Sequence, residues 1–515
     1  MNILESFISA ISPKLGLSRA LNLQSLSSLK KMQNASNHYD ATGNGRRGFK
    51  VNGDGSAMAV TSASLVVARK NASDLERNNP IYEAAIDAKV HHTIGEGIRP
   101  QLRTKDKSKR QKKRITDAQG RIDAWVNSAN ADVYGVHNLF GTQFLAWRTT
   151  CVRGEVLIVR QRTLEPESGI NLQLKMLEGD YLDHNKTSIN PDNDNSIING
   201  VEFDDSDRPV AYWLFDQHPG NAGFFKKFTL KSKRHDAANI IHLFDCKRPG
   251  QFRGLPVGLS TFSKIKNLDD FQDARLALMK IAACMVGSVT QMGGLGTKSV
   301  DGDPIPARMT PGMLLRLNQN EKLEFNQPPN VSGQDSFVSQ ELHSIAAVFG
   351  ITYEALTGDY SQVNFTSGRM GWLGMHRKNS NDRSRIIIPQ MLNKVWGWLQ
   401  EALDLEGVPM RNMSCQWIPP RREMFDPAKE IPPLIKAVRA GLKPMQRALI
   451  EQGDNPELIL EQYKQWNDWL DECELTLDTD PRRVSGAGNN NPVPENEDDE
   501  KESVNSGDDD SATKQ

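Results

Sequence analysis

Hydrophobic positions recur at two different periods along the 515 residues, and the switches between them divide the chain. Apolar residues three and four apart, the stripe of an amphipathic helix, predict helices over 74–94, 118–130, 139–153, 256–286, 336–349 and 369–404. Order begins near Ser64. Pro80 is tolerated in an early turn of the first helix, Gly95-Glu96-Gly97 breaks that helix, and Pro389 interrupts the last. Over 256–286, Leu268, Phe271, Ala274, Ala277, Leu278 and Ile281 recur at helical spacing until Gly287; such a helix spans about 45 Å at 1.5 Å per residue. Between 154 and 244 the pattern becomes short runs of Val, Ile and Leu separated by turns. These predict strands over 156–159, 172–177, 200–203, 210–215 and 240–244. Further helices carrying Tyr463, Trp466 and Trp469 fall within 428–473. The fold class is α+β.

Length sharpens this picture, because a chain of 515 residues exceeds what one hydrophobic core organises. An apolar fraction of 38% against 25% charged residues suits an elongated subunit that buries surface against neighbours. Lys and Arg number 63 and Asp and Glu 64. A static grip on nucleic acid takes a basic excess, since each neutralised phosphate strengthens binding. The balance argues against a sequence-specific DNA binder and fits a conduit through which a polymer must keep moving. Locally the balance breaks. Residues 103–114 hold eight Lys or Arg, among them Lys109, Arg110, Lys112, Lys113 and Arg114. The run is either a DNA or partner contact or, the plainer reading, an exposed charged loop. From Ser485 onward nine acidic residues face two lysines, the composition of a disordered tail. Residues 34–57 are rich in Ser, Asn and Gly, preceded by a short amphipathic helix near 3–11. Five cysteines without a CxxC pair read as scattered reduced thiols. The first 26 residues have no secretory pattern, and the run 281–286 is far short of the ~20 apolar residues a membrane helix needs. A soluble protein without membrane association is expected.

Enzymatic motifs fail on spacing. In Gly293-Gly294-Leu295-Gly296-Thr297-Lys298-Ser299, Thr297 separates glycine from lysine, so the segment is no phosphate loop. Asp192, Asp194 and Ser196 start like a calcium loop, but Ile197 and Phe203 occupy the positions that need Gly and Glu. His91-His92 lacks the spacing that sets two imidazoles on one helix face. Asp269-Asp270 fits a solvated helix face better than an acid/base pair. No cofactor, no metal and no catalytic residue is expected.

Five segments, in order over about 65–400, carry a resemblance. Ala68-Arg69-Lys70 leads into Leu75-Glu76-Arg77-Asn78-Asn79-Pro80 and on to Gly95-Glu96-Gly97-Ile98. Trp147 leads to Gly154-Glu155. Asn199-Gly200-Val201-Glu202 precedes Arg208-Pro209-Val210-Ala211-Tyr212. The fourth is Arg248-Pro249-Gly250-Gln251-Phe252-Arg253-Gly254-Leu255-Pro256. The fifth runs Tyr353-Glu354-Ala355-Leu356-Thr357-Gly358-Asp359-Tyr360-Ser361, then Asn364-Phe365-Thr366-Ser367-Gly368-Arg369. Together they resemble the lambda family of tailed-phage portal proteins. Phe365 stands where that family commonly has Tyr, and Gly368 where it has Ala; the glycine loosens the start of the following helix.

The resemblance implies the phage portal fold, with wing, stem, clip and crown regions in a ring-forming, usually dodecameric, subunit. On this chain it implies a flexible segment 1–60, a wing 61–255 and a stem helix 256–286. A clip 287–335, a second stem helix 336–353 and a tunnel loop 354–368 come next. A wing helix and return 369–427, a helical crown 428–480 and a disordered acidic tail 481–515 complete it. Asp359, Tyr360, Ser361, Gln362 and Asn364 become a DNA-facing loop, the alternative being an ordinary surface loop. Arg248, Gln251 and Arg253 form either an inter-subunit pairing motif or a local turn. The implied protein is a non-enzymatic channel at one capsid vertex of the virion, assembled in the host cytoplasm. Double-stranded DNA passes it non-specifically. It nucleates procapsid assembly with the major capsid and scaffolding proteins, and it docks the terminase large subunit and later the head-completion protein. The alternatives are a packaging-associated nuclease or ATPase, or a capsid structural protein without a channel.

Overall fold

The computed structural model describes residues 55–475 and 477, except 105, 107, 164–168, 191, 222–230, 285–287, 292–320, 325–333, 422 and 425. The helix expected near 3–11, the segment 293–299, most of 287–335 and the acidic tail lie outside the described residues. The chain divides into two compact units, 1–66 with 246–253, and 67–245 with 254–515.

Helix α1 is Ala57–Asn78 and α2 is Pro80–Ile94. The single helix predicted over 74–94 is therefore two. Asn79 is extended (φ −119°, ψ 111°), and its side chain accepts from the Tyr82 amide. Pro80 takes the first helical position, where its missing N–H costs nothing. Strand β1, Arg99–Thr104, precedes α3, Lys109–Asn127. Residues 109–114 of the basic run are thus helical and not the loop expected. Ser108 caps the helix by accepting from Gln111 N at 3.3 Å, and Gln111, Ala118, Ile122 and Trp125 form its buried face. Helix α4, Leu139–Arg153, matches its prediction, stopped by Asn138 at one end and Gly154 (φ 87°) at the other.

The next elements are strands β2 (Glu155–Gln161), β3 (Gln173–Glu178), β4 (Ser188–Ile189), β5 (Ser196–Ile198), β6 (Val201–Phe203), β7 (Pro209–Phe215), β8 (Ser232–Asp236) and β9 (Ile240–Phe244). They form two antiparallel sheets, ordered β3-β2-β9 and β4-β5-β6-β7-β8. The polar strands β4, β5 and β8 lack an apolar alternation and were not predicted.

Helix α5, Phe262–Cys284, has 23 residues, about 35 Å rather than 45. Pro256 and left-handed Gly258 (φ 77°) turn the chain first, and a 3₁₀ turn, Leu259–Thr261, occupies the expected start. Strands β10 (Ser288–Gln291) and β11 (Glu321–Glu324) pair antiparallel. Then come α6 (Gln334–Phe349), α7 (Tyr353–Thr357) and α8 (Phe365–Asp382). Pro389 interrupts the α-helical run after α8, as expected, without ending it. It sits inside a ten-residue π-helical segment, Arg383–Leu392, that leads directly into α9, Asn393–Leu405. The wider i→i+5 turn gives room for the ring and its missing donor. Strand β12, Met413–Ile418, returns to pair antiparallel with β1. Helices α10 (Pro427–Arg439), α11 (Met445–Glu451) and α12 (Pro456–Glu472) end the described chain. In the larger unit one core gathers Tyr82, Trp125, Trp147, Phe349, Met391 and Leu399. Trp125 Nε1 donates to Leu172 O at 2.8 Å, satisfying the one polar atom of a fully buried indole.

Candidate functional site

Three of the five sequence segments meet where α4 ends and the approach to α5 begins. Gly154 has φ 87°, and the next residue, Glu155, is fully buried. Its carboxylate gathers donors from three directions. Arg69 Nη2 donates to Oε1, Gly254 N donates to Oε2 at 2.7 Å, and His242 Nε2 lies 3.1 Å from Oε2. Arg69 Nε also donates to Arg153 O at 3.0 Å, and Asp180 stands 3.6 Å from its Nη1. A buried carboxylate is tolerated when paired and hydrogen-bonded in this way. Gly254 presses backbone to backbone on this corner: a Cβ there would lie 2.0 Å from Gly154 O. Only glycine fits.

From this corner the chain is fixed into α5. Val257 N donates to Cys151 O at 2.8 Å. Burial pushes the Cys151 thiol up to about 12, so it is a packed, protonated group. A Cβ on Gly258 would meet Phe349 Cζ at 2.3 Å, so the last turn of α6 lies over the approach to α5. The Tyr82 ring packs edge-on against Phe262 (5.6 Å) and Phe349 (5.7 Å), touching both helices. Asn79 Nδ2 donates to both oxygens of Asp269 at 2.8 and 2.9 Å. Asp269 is therefore a tether and not the solvated carboxylate expected; Asp270 is exposed. Farther along, Lys264 reaches Glu341 (3.0 Å), Phe271 meets Phe337 (5.3 Å) and Arg275 reaches Asp335 (3.2 Å). The falling partner numbers mean that α5 and α6 are antiparallel.

The polar loop lies between α7 and α8. Gly358 (φ 70°) ends α7, its N–H donating to Glu354 O at 2.8 Å. Ser361 N donates to Asp359 Oδ1 at 3.0 Å, and this bond holds the Asp359 carboxyl below its usual range. Val363 N donates to Tyr360 O at 3.2 Å. Asn364 and Ser367 exchange side-chain bonds to each other's amides (2.8 and 3.2 Å), a capping box that starts α8. A Cβ on Gly368 would come within 2.9 Å of Val363 Cγ1, so the glycine lets the loop close onto its helix. The loop's backbone is thus fixed by its own bonds. Tyr360 is 66% exposed, and Asp359, Ser361 and Gln362 are exposed beside it. The structure gathers all five expected loop residues on one short, rigid, outward segment. The expected 354–368 also contains most of α7 and the first turn of α8.

The other expected residues are not part of this loop. Lys109, Arg110, Lys112 and Lys113 are exposed at the start of α3, with Arg114 half-buried. Arg248, Gln251 and Arg253 belong to the smaller unit, where Gln251 closes a turn. Its N–H donates to Arg248 O (3.1 Å), its Nε2 to Arg253 O (2.9 Å), and its Oε1 accepts from Lys247 N (3.0 Å). His92 lines a cleft of about 260 Å³ with Trp372, His376, Arg383 and Glu423. Burial, then His91, push the His92 pKa down. Among the described residues neither histidine joins a convergent set of metal donors; Glu178, Asp180 and His218 do converge, within 4.8 Å. Arg153 already donates to both of those carboxylates. Sequence reasoning missed Glu155, Asn79 and Tyr82 as anchors. The one local signal was Gly154 beside a buried acid.

The lambda family of phage portal proteins matches residues 43–383. The chain is 27% identical over 325 residues to the probable portal protein of Halomonas phage phiHAP-1, covering 59% of this chain and 61% of that one. It is 22% identical over 446 residues to the portal protein of Escherichia phage N15, covering 76% and 82%. To portal protein B of Escherichia phage lambda it is 22% identical over 318 residues, covering 54% and 60%. The chain thus spans about three fifths of the length of two of these relatives. Among solved structures it is similar, at TM-score 0.43 and 13% identity, to a chain of the neck of a native gene transfer agent particle computed with C12 symmetry, over 76% of this chain and 98% of that one.

Proposed function

Because the chain belongs to the lambda family of phage portal proteins, we propose that its copies form a ring-shaped channel, a dodecamer, at one capsid vertex of the virion. Double-stranded DNA enters through it during packaging and leaves through it during ejection. The antiparallel pair α5 and α6 is the stem, and β10 with β11 belongs to the clip. The mixed region before α5, with α8 and α9, makes the wing, and α10 to α12 make the crown. The clip docks the terminase large subunit, whose ATP hydrolysis supplies the force, and later the head-completion protein. The ring also nucleates procapsid assembly with the major capsid and scaffolding proteins.

The observation that carries this reading is the loop of Asp359, Tyr360, Ser361, Gln362 and Asn364. It is rigid by its own hydrogen bonds and exposed, and its one ionisable carboxylate is held in the charged form. Such a surface meets a duplex without gripping it: the carboxylate repels phosphate, and the hydroxyls and amides exchange bonds with water at little net cost. A moving polymer needs that, since strong phosphate contacts would stall it. Negative-stain microscopy of the purified protein tests the assembly, with rings around an open hole expected. Deletion of 357–364 tests the loop. Rings that form normally but lose packaged DNA are expected; unchanged packaging and retention would refute the loop's role, and particles without an axial hole would refute the channel.

A further inference from the structure

The near-neutral charge of the chain conceals a division. Residues 485–515 hold nine carboxylates and two lysines, so the remaining 484 residues carry a net charge of +6. The densest cationic site among the described residues is the start of α3. Lys109, Arg110, Lys112 and Lys113 are exposed there, Arg114 is half-buried, and none of the five has an ion-pair partner among the described residues. Asp106 and Asp117 flank the run; Asp106 Oδ1 is taken by the Ser108 amide. The first turn of α3 contains no acidic residue. A helix N-terminus is already the positive end of the dipole, and each cation placed there is unfavourable. Five unpaired cations at such a point repel one another and the helix end, so the site fits a polyanion.

We infer that this polyanion is the chain's own acidic segment, 495–510, laid over the start of α3 of the same copy. Its nine carboxylates outnumber the five cations, and its one interior cation is Lys501. The reach suffices. Asn455, at the start of α12, accepts a bond from Gln101 of β1, eight residues before Lys109. The 17 residues of α12 add roughly 25 Å, so Glu472 lies within roughly 55 Å of Lys109. The stretch from 472 to 495 extends to roughly 75 Å. Docked there, the segment occupies by charge the densest cationic site among the described residues, which would otherwise hold DNA phosphates. This docking does not depend on the channel reading, since it is detected by binding and not by packaging.

The test compares the full chain, a chain ending at Val484, and the truncated chain carrying Lys109→Gln, Arg110→Gln, Lys112→Gln and Lys113→Gln. All four side chains are exposed, so folding is not disturbed. Binding of a short labelled DNA duplex is measured at low and high salt. Truncation is expected to tighten binding about tenfold at low salt and to steepen its salt dependence, and the four substitutions are expected to cancel the gain. A synthetic 485–515 peptide should bind the truncated chain, compete with the duplex, and fail to bind the substituted chain. Unchanged affinity on truncation, a gain that survives the substitutions, or equal peptide binding to both truncated chains would each overturn the inference.

Discussion

Replacing Glu155 by Gln tests whether one buried carboxylate locks the approach to α5. The amide keeps the shape and loses the charge. It offers one acceptor oxygen where the carboxylate serves Arg69, Gly254 and His242, so at least one donor faces an NH₂ group. Arg69, whose side chain is 3% exposed, keeps its Nε bond to Arg153 O and, as its charged partner among the described residues, Asp180 at 3.6 Å. Breaking a buried pair from one side costs about 3–5 kcal/mol, and the remaining Asp180 places the expectation at the lower end, about 3 kcal/mol. A chain of this length does not unfold in one step, so the readout is local: amide hydrogen exchange of peptides covering 150–158 and 252–260. A loss of about 3 kcal/mol speeds opening-limited exchange roughly 150-fold. The double variant Arg69→Met/Glu155→Gln removes the stranded cation, leaves the oxygen for the Gly254 amide, and is expected to recover more than half of the loss. Exchange within threefold of wild type in the single variant would refute the argument. Strict additivity of the two single variants would show that Arg69 and Glu155 do not act as a pair.

Tyr82→Phe removes a buried hydroxyl that has no hydrogen-bond partner among the described residues while keeping both edge-on ring contacts. A gain of about 1 kcal/mol is expected, seen as slower amide hydrogen exchange in peptides around Tyr82; faster exchange would mean that the hydroxyl is bonded. Gly254→Ala forces a Cβ onto Gly154 O and should give insoluble or protease-sensitive protein, whereas Gly250→Ala, with open space around it, should leave protein soluble at some strain from its φ of 76°; equal solubility and protease resistance would contradict the close approach. Burial alone would raise the Glu202 carboxyl, but Arg234, Asn193 and Asn195 outweigh it and hold it at about 2. Its folded pKa lies below the ordinary value of about 4.5. Stability is therefore complete above that pH and falls as pH drops toward 2, by on the order of 3 kcal/mol. Protection from amide hydrogen exchange in peptides covering 200–204 and 232–236, measured from pH 6 to pH 2.5, should fall less steeply for Glu202→Gln than for the wild type, and parallel curves would count against the assignment.

How much could be foreseen from the sequence depends on where the stabilising contact lies. Helix α4 was predicted to the residue because both stops are local: Asn138 caps it and Gly154 ends it. The break at Asn79 was missed because Asn-Pro also fits the interior of a first turn; Asn79 caps the new helix through the Tyr82 amide, and its bonds to Asp269, 190 residues away, hold that start in place. The pairing of β1 with β12 joins segments about 310 residues apart and leaves no periodic trace in either. The segment 248–256 shows the same limit within one motif. Residues up to Arg253 are explained by their own turn, closed by Gln251, which a reading of Gly and Pro anticipates. Gly254 is explained only by Gly154, a hundred residues earlier, whose backbone fills the volume a side chain would need. The loop around Tyr360 is the opposite case. Its turn bonds are local and legible, and the Asp359 and Asn364 side chains serve them, while the exposed side chains of Tyr360 and Gln362 are not needed for the turn. For those two side chains folding supplies no reason, so the proposed contact with DNA is tested by packaging and not by stability.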